Sequence, residues 1–322
     1  MTYSEIWHRI ATSYDDGEAR AIARILIEEL FGLSYTDIVC GATDQLSADD
    51  TLRLDTAVRR IEQGEPLQHV LGYADFCGNR FCVNGSVLIP RPETEWLVDE
   101  GAKLMDGCIA SDKTQHKAPH SPKRILDIGT GSGCIAISLK LRLGDAYVEA
   151  WDISEEALRT AQDNADAPKA EVVSRKRDAL APSAPTGLAM DSINYSEANI
   201  LAAPWDLIVS NPPYICDSER STMDDNVLLH EPHTALFVPD DDPLRFYRAI
   251  ARYALLTLNP GGTLLFECNT RYAEATGKML SDMGFEEVTI SDDCFGLPRF
   301  VRGSSPSQSA APPNPPRRGG LS

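Results

Sequence analysis

Residues 124–143, RILDIGTGSGCIAISLKLRL, pass from a short apolar run through a glycine-rich loop into a second apolar run. Ile125–Ile128 reads as a buried strand, Gly129-Thr130-Gly131-Ser132-Gly133 as the loop, and Cys134–Leu143 as a helix. A strand, a glycine turn and a helix in that order form the opening unit of an α/β sheet. The glycines let backbone approach a ligand closely, and the helix start offers unpaired N–H groups. The same alternation continues downstream. Tyr147–Trp151 is a second strand closing on Asp152, and Ser154 caps a helix over Glu155–Asn164. Val172-Val173 begin a third strand ending near Asp178, and Leu207–Val209 form a fourth. Asp240–Leu258 reads as a loop and a helix, and Pro260-Gly261-Gly262 as a turn into strand Thr263–Glu267. A helix at 271–283 and strands near 286–291 and 298–302 complete the series. Repeated β-α alternation predicts a largely parallel sheet with helices on both faces.

Upstream, residues 1–65 read as helices. Ile6, Ile10, Ala19, Ile22, Ala23, Leu26, Ile27, Leu30 and Phe31 recur at three- and four-residue spacing. Gly32 stops one helix and Ser34 caps a short one. Ala48–Glu62 is a further helix with Leu52, Leu54, Val58 and Ile61 on its apolar positions, ended by Gly64. Residues 68–90 carry hairpin signals at Gly78-Asn79 and Asn84-Gly85. Pro90-Arg91-Pro92-Glu93-Thr94-Glu95 starts a helix, with the two glutamates at its positive end. Segments 111–122 and 181–204 read as polar or Ala/Pro/Ser-rich loops, and His116 and His120 lie in the first without carboxylate partners. The expected division is a helical region 1–67, a hairpin linker 68–90, an α/β domain 91–303 and a disordered tail 304–322.

The chain has 322 residues and a net charge of −18. Bare nucleic acid is bound chiefly by lysine and arginine neutralising phosphates, so this acidic excess disfavours direct nucleic-acid binding and favours a protein or small-molecule substrate. No run approaches the ~20 apolar residues that cross a bilayer, and MTYSEIWHRI lacks a signal peptide's apolar core, so the expected location is cytoplasmic. The eight cysteines form no Cys-x-x-Cys pair, and reduced, mostly buried thiols are expected. No metal pattern is present: His230-Glu231-Pro232-His233 is not His-Glu-x-x-His, and Pro232 opposes the helix such a site needs.

Asp152 ends its strand about 20 residues after the glycine loop, where a carboxylate can bind a ribose diol. Loop and carboxylate together indicate a nucleoside-containing cofactor. The loop is G-x-G-x-G, whereas the dinucleotide fingerprint has its third glycine one position later, and no basic residue sits in it to balance a pyrophosphate. S-adenosylmethionine, whose sulfonium needs no anion cradle, fits better. Residues 205–214, WDLIVSNPPY, then hold an amide and an aromatic ring on a stiff turn at a strand's carboxyl end. A proline pair can also be plain strand punctuation. Beside a methyl donor it has a use. The lone pair of a planar amide or amino nitrogen is delocalised, and the Asn211 side-chain carbonyl and a proline backbone carbonyl can accept both N–H protons. They align the nitrogen and favour the charge that develops on it.

From about Ile61 to Gly303 the chain resembles the release-factor glutamine methyltransferases, the HemK/PrmC family. The matching segments are GEPLQHVLGYADF, VLIPRPETEWLV, ILDIGTGSGCIAISL, Asp152, VSNPPY, HEPHTALF, DPLRFYRAI and NPGGTLLFE. The resemblance implies a class I, Rossmann-like methyltransferase, with a seven-stranded mostly parallel sheet, a small N-terminal helical bundle and a linking hairpin. It implies S-adenosylmethionine as cofactor, and as substrate the side-chain amide nitrogen of the glutamine in a release factor's Gly-Gly-Gln motif. It further implies that Gly129, Thr130, Gly131, Ser132, Gly133, Asp152, Ile153, Asp178, Ala179 and Asn211 bind the cofactor. Asn211, Pro212, Pro213 and Tyr214 would hold the glutamine and serve catalysis, with Arg91 and Glu93 also at the substrate. Relatives often carry a larger residue at Ala179, and there the helical region helps grip the release factor. A ribosomal-protein glutamine methyltransferase shares the Asn-Pro-Pro-Tyr chemistry but tends to have Arg-Ser-Pro where this chain has Arg91-Pro92-Glu93. Adenine-N6 and guanine-N2 nucleic-acid methyltransferases share that motif as well.

Overall fold

The computed structural model describes residues 1–111, 122–181 and 204–307. The chain opens with helices α1 (Tyr3–Ile10), α2 (Asp16–Phe31), α3 (Tyr35–Val39), α4 (Ala48–Glu62) and α5 (Leu67–Leu71). Each of the first four starts at a residue whose side chain accepts a backbone N–H of the first turn: Thr2, Asp15, Ser34 and Ser47. Ile6, Ile10, Leu26, Ile27, Leu54, Val58 and Ile61 are buried together in one core. Leu52, expected on the same stripe, is 66% exposed. At 3.6 residues per turn it stands about 200° around the helix from Leu54 and faces away from α1 and α2.

A hairpin follows, β1 (Tyr73–Phe76) and β2 (Asn79–Cys82). Phe76 pairs with Asn79, so the turn is Cys77-Gly78, with φ of 48° and 74°. Positive φ at both turn residues matches the twist of paired strands. The hairpin is shorter than the 68–90 signals suggested. Residues 67–71 are helical, and Asn84-Gly85 makes no second hairpin, because Asn84 Oδ1 accepts the Ser86 N–H at 2.9 Å and its amide donates to Thr160 at 3.2 Å. Asn164 fastens the hairpin to the domain that follows: its Oδ1 accepts the Cys82 N–H (2.7 Å), and its Nδ2 donates to Cys82 O and Ser132 O. A 3-10 turn over Pro92–Thr94 leads into α6 (Glu95–Ser111). The Glu95 carboxylate accepts the Cys77 N–H at 2.7 Å, tying helix to hairpin rather than serving only its own helix.

The remaining elements alternate as β3 (Arg124–Ile128), α7 (Cys134–Leu143), β4 (Tyr147–Asp152), α8 (Glu155–Asp166), β5 (Val172–Lys176) and β6 (Trp205–Ser210). A small insert then holds β7 (Ile215–Cys216), α9 (Asp225–His230), α10 (His233–Leu236) and β8 (Phe237–Val238). The chain closes with α11 (Arg245–Thr257), β9 (Leu258–Glu267), α12 (Ala273–Met283), β10 (Glu286–Asp292) and β11 (Pro298–Ser304). Seven strands form one sheet in the order β10-β11-β9-β6-β3-β4-β5, in which only β11 runs antiparallel to its neighbours. Alternate residues serve opposite faces. Ile125, Leu207 and Val209 join the core under α6 and α7, whereas Leu126, Ile128 and Ile208 join the one under α11 and α12. Burial on both sides is why these strands are apolar throughout.

Three expectations change in this part of the chain. Strand β9 begins at Leu258 and carries Pro260-Gly261-Gly262 within it, as an irregularity where pairing jumps from Trp205↔Leu258 to Leu207↔Thr263. The ordered chain passes residue 304: Ser305 is buried and its N–H donates to Gly262 O at 2.8 Å. Of the described cysteines Cys134, Cys216 and Cys268 are buried, while Cys40, Cys82 and Cys294 are exposed. The expected loop with His116 and His120, most of the 181–204 insertion and the tail from 308 lie outside the described residues. Among the described residues no helix is long and apolar enough to cross a membrane.

Candidate active site

The strand order reverses at β3. From there the chain winds outward through β4 and β5, then returns to lay β6 on the other side. The carboxyl ends of β3 and β6 therefore border a crevice at the point where the strand order reverses, the position where open α/β sheets bind ligands. A cavity of about 350 Å³ lies there. It is lined by the glycine loop from Gly129 to Ser132, by Asp152, Ile153, Asp178 and Ala179, and by Asn211, Pro212 and Pro213.

Gly133, at φ 82°, closes the loop. A Cβ there would come within 2.9 Å of Ile137 Cδ1 and 3.1 Å of Ala161 Cβ, so helix α7 can follow the loop this closely only with glycine. The N–H groups of Gly129 and Thr130 both donate to Trp151 O (2.8 and 2.9 Å), and Thr130 Oγ1 donates to Asp127 Oδ2 at 2.6 Å. Asp127 is fully buried with Oδ1 unpaired, and burial pushes its carboxyl up to about 7, against the Thr130 hydroxyl and the Ala136 N–H. The folded protein then keeps a proton that the unfolded chain releases near pH 4. Asp127 therefore lowers stability progressively as pH rises from about 4 to 7, and the loss levels off above. Asp127→Asn should remove this slope. Urea unfolding of both proteins at pH 5 and pH 8 checks it, and an equal pH dependence would contradict it.

Asp152 sits at the end of β4 with Oδ2 accepting the Gly131 N–H and Oδ1 the Ser154 N–H, both at 2.9 Å. Burial raises its carboxyl above the usual range, opposed by those N–H groups. A carboxylate offers about four acceptor positions, and the N–H groups of Gly131, Ser154 and Ile153 leave room for a ligand hydroxyl. Ile153 beside it is 55% exposed and lines the cavity with Ala179, Leu180, Phe246 and Ile250. A diol acceptor flanked by an apolar wall suits a nucleoside. Asp178 contributes backbone geometry, its Oδ1 accepting the Leu180 N–H at 2.8 Å.

At the facing edge Ser210 Oγ donates to Ile128 O at 2.6 Å and pins the two strand ends together. Asn211 follows, and its Nδ2 donates to Thr94 Oγ1 at 3.3 Å. Tyr214 does not line the cavity. Its half-buried ring packs on the core under α11, and its hydroxyl donates to Glu267 Oε1 at 3.4 Å. Burial and the Glu267 charge push the phenol pKa up, so it stays protonated.

Residues 8–72 match the family model "PrmC N-terminal domain", and residues 96–236 match "Methyltransferase small domain". A release factor glutamine methyltransferase of Bacteroides thetaiotaomicron is 41% identical over 288 residues, 89% of this chain and 93% of that one. This chain belongs to the release factor glutamine methyltransferase family. A Flavobacterium psychrophilum relative of the same name is 35% identical over 91% of this chain and 94% of its own. Among solved structures, a release factor-specific protein-(glutamine-N5) methyltransferase from Alicyclobacillus acidocaldarius is 26% identical, over 68% of this chain and 94% of that one, with a TM-score of 0.38.

In this member of the family Arg91 lines the cavity and Glu93 does not. Arg91 Nη2 donates to Glu231 Oε1 at 2.5 Å, and Glu231 Oε2 accepts the Ile89 N–H at 3.1 Å. Buried Glu231 thus joins the segment before α6 to the insert between β7 and β8, and both border the cavity. The adjacent His233 bonds to Leu228 O (2.8 Å), and among the described residues no cluster of three His, Cys, Asp or Glu is placed to hold a metal. Sequence reasoning missed Thr94, Glu231, Glu267 and the cavity wall at Ser86–Leu88 and Phe246. Thr94, Glu231, Glu267 and Phe246 lie inside quoted family segments, but nothing local marked them as neighbours of Asn211 or of each other.

Proposed function

We propose that this chain transfers a methyl group from S-adenosylmethionine to the side-chain amide nitrogen of the glutamine in the Gly-Gly-Gln motif of peptide chain release factors. The observation that carries the reading is one cavity bordered by both a strand-end carboxylate, Asp152, and the Asn211-Pro212-Pro213 turn, in a chain of this family. The residues present fit the cofactor: Asp152 has free acceptor positions, Ile153 and Ala179 supply apolar surface, and the glycine loop leaves its backbone open. When bound, S-adenosylmethionine supplies an electrophilic methyl group. Asn211 Oδ1 and a proline carbonyl accept the two amide protons, hold the nitrogen's plane, and favour the positive charge that develops there. The nitrogen gains the methyl as the methyl–sulfur bond breaks and S-adenosylhomocysteine is left, and the nitrogen sheds one proton to water. A glutamate in the same position has no N–H to offer and would be repelled by two acceptors.

In this reading residues 1–67 recognise the release factor, 68–90 link, and 91–303 bind cofactor and glutamine. Incubating purified protein with S-adenosylmethionine and a release factor should add one methyl to the Gly-Gly-Gln glutamine, read by mass spectrometry of the peptide. Transfer instead to a ribosomal protein or to DNA, with none at that glutamine, would overturn the proposal.

A further inference from the structure

Glu267 ends β9 with its side chain 1% exposed, beneath the Asn211–Tyr214 turn. Two hydroxyls point at it. Thr94 Oγ1 donates to Oε2 at 2.8 Å, and Tyr214 OH donates to Oε1 at 3.4 Å. Burial raises the Glu267 carboxyl, opposed by the Thr94 and Tyr214 hydroxyls and the Arg299 charge. With both oxygens accepting from hydroxyls, Glu267 takes the single Thr94 proton, and a lone pair of Thr94 Oγ1 remains for Asn211. The Asn211 atom 3.3 Å away must then be the donor, Nδ2. The order carboxylate, hydroxyl, amide leaves one arrangement, in which Asn211 Oδ1 is the atom free for a ligand.

We infer that Thr94 and Glu267 are positioning residues that fix the polarity of the Asn211 amide, making it an acceptor towards the cavity. The inference rests on the glutamine-methylation reading and deepens it. A reversed amide would offer N–H groups to the substrate, which suits a carboxylate and opposes an amide nitrogen. Thr94 and Glu267 therefore select for glutamine through a side chain that each reaches from a different part of the chain. The Thr94 hydroxyl arrives from the turn before α6, and the carboxylate from the strand beside β6. Neither needs to touch the reacting nitrogen.

Thr94→Val keeps the shape and removes the hydroxyl. Its kcat on a release factor should fall about 100-fold, the scale of a misaligned reacting group. Calorimetric affinity for S-adenosylmethionine and KM for the release factor should stay within about twofold, because neither depends on which way the amide points. Thr94→Ser restores the hydroxyl and should return kcat to within about threefold of wild type. Glu267→Met, of similar size, removes every acceptor for the Thr94 proton and frees that hydroxyl to donate to Asn211 Oδ1, so it should match the Thr94→Val loss. It carries the test if the valine protein does not fold. Wild-type protein that leaves the release factor unmethylated overturns the functional reading and this inference with it. Wild-type turnover with undiminished kcat in Thr94→Val, or in Glu267→Met, overturns the inference alone. Loss in Thr94→Ser equal to that in Thr94→Val does the same, because a hydroxyl would then not be what matters.

Discussion

Asn211→Ala lowers kcat for glutamine methylation by about 10²–10³-fold, the cost of deleting one preorganised group aimed at a developing charge. The side chain stands at the carboxyl end of β6, lines the cavity, and is held by Thr94. The substitution removes the acceptor while leaving the Thr94–Glu267 bond and the two prolines in place. The turn should therefore keep its shape and the cofactor its cavity. Steady-state kinetics with a release factor, combined with calorimetric titration of S-adenosylmethionine, separates the two effects. Turnover at the wild-type rate would remove Asn211 from the chemistry.

Asp152→Ala weakens S-adenosylmethionine binding by about 10²–10⁴-fold, from the loss of two hydrogen bonds to a charged acceptor at roughly 1.5–3 kcal/mol each. Its two oxygens also hold the N–H groups of Gly131 and Ser154, so the glycine loop loses a tether at the same time. The kcat at saturating cofactor should change far less than the dissociation constant, since Asn211 is untouched. Calorimetry and the KM for S-adenosylmethionine measure the effect. A dissociation constant within about threefold of wild type would mean that the ribose is held elsewhere.

Much of the sheet was legible because its signals are local. An apolar run, a glycine turn and a capped helix are set by neighbours in the chain, and Ser154, Gly32, Ser34 and the Ala48–Glu62 boundaries behave accordingly. Asn84-Gly85 looked like a turn of the same kind. There the Asn84 side chain turns instead to Ser86 and to Thr160, which the fold brings up from 76 residues away. Ser304 and Ser305 read as tail, since nothing nearby says that Thr263 will pair with Ser304, and Gly261 and Gly262 with Ser305. Tyr214 is the sharpest case in the site. The resemblance set it with Asn211 among the residues that hold the glutamine, whereas in the fold its hydroxyl donates to buried Glu267 and the residue does not line the cavity.

By itself the sequence determined the succession of strands and helices, the glycine loop, the acidic strand end and the stiff Asn-Pro-Pro turn, because hydrophobic period, backbone freedom and capping act within a few residues. The tertiary structure alone decided which of those pieces face each other. Winding β6 back against β3 sets the turn opposite the loop, and β9 beside β6 carries Glu267 beneath it. Hydrogen bonds such as Asn211 to Thr94 and Thr94 to Glu267 span 117 and 173 residues. They exist only once packing has brought the strand ends together, and so the direction in which Asn211 points belongs to the fold.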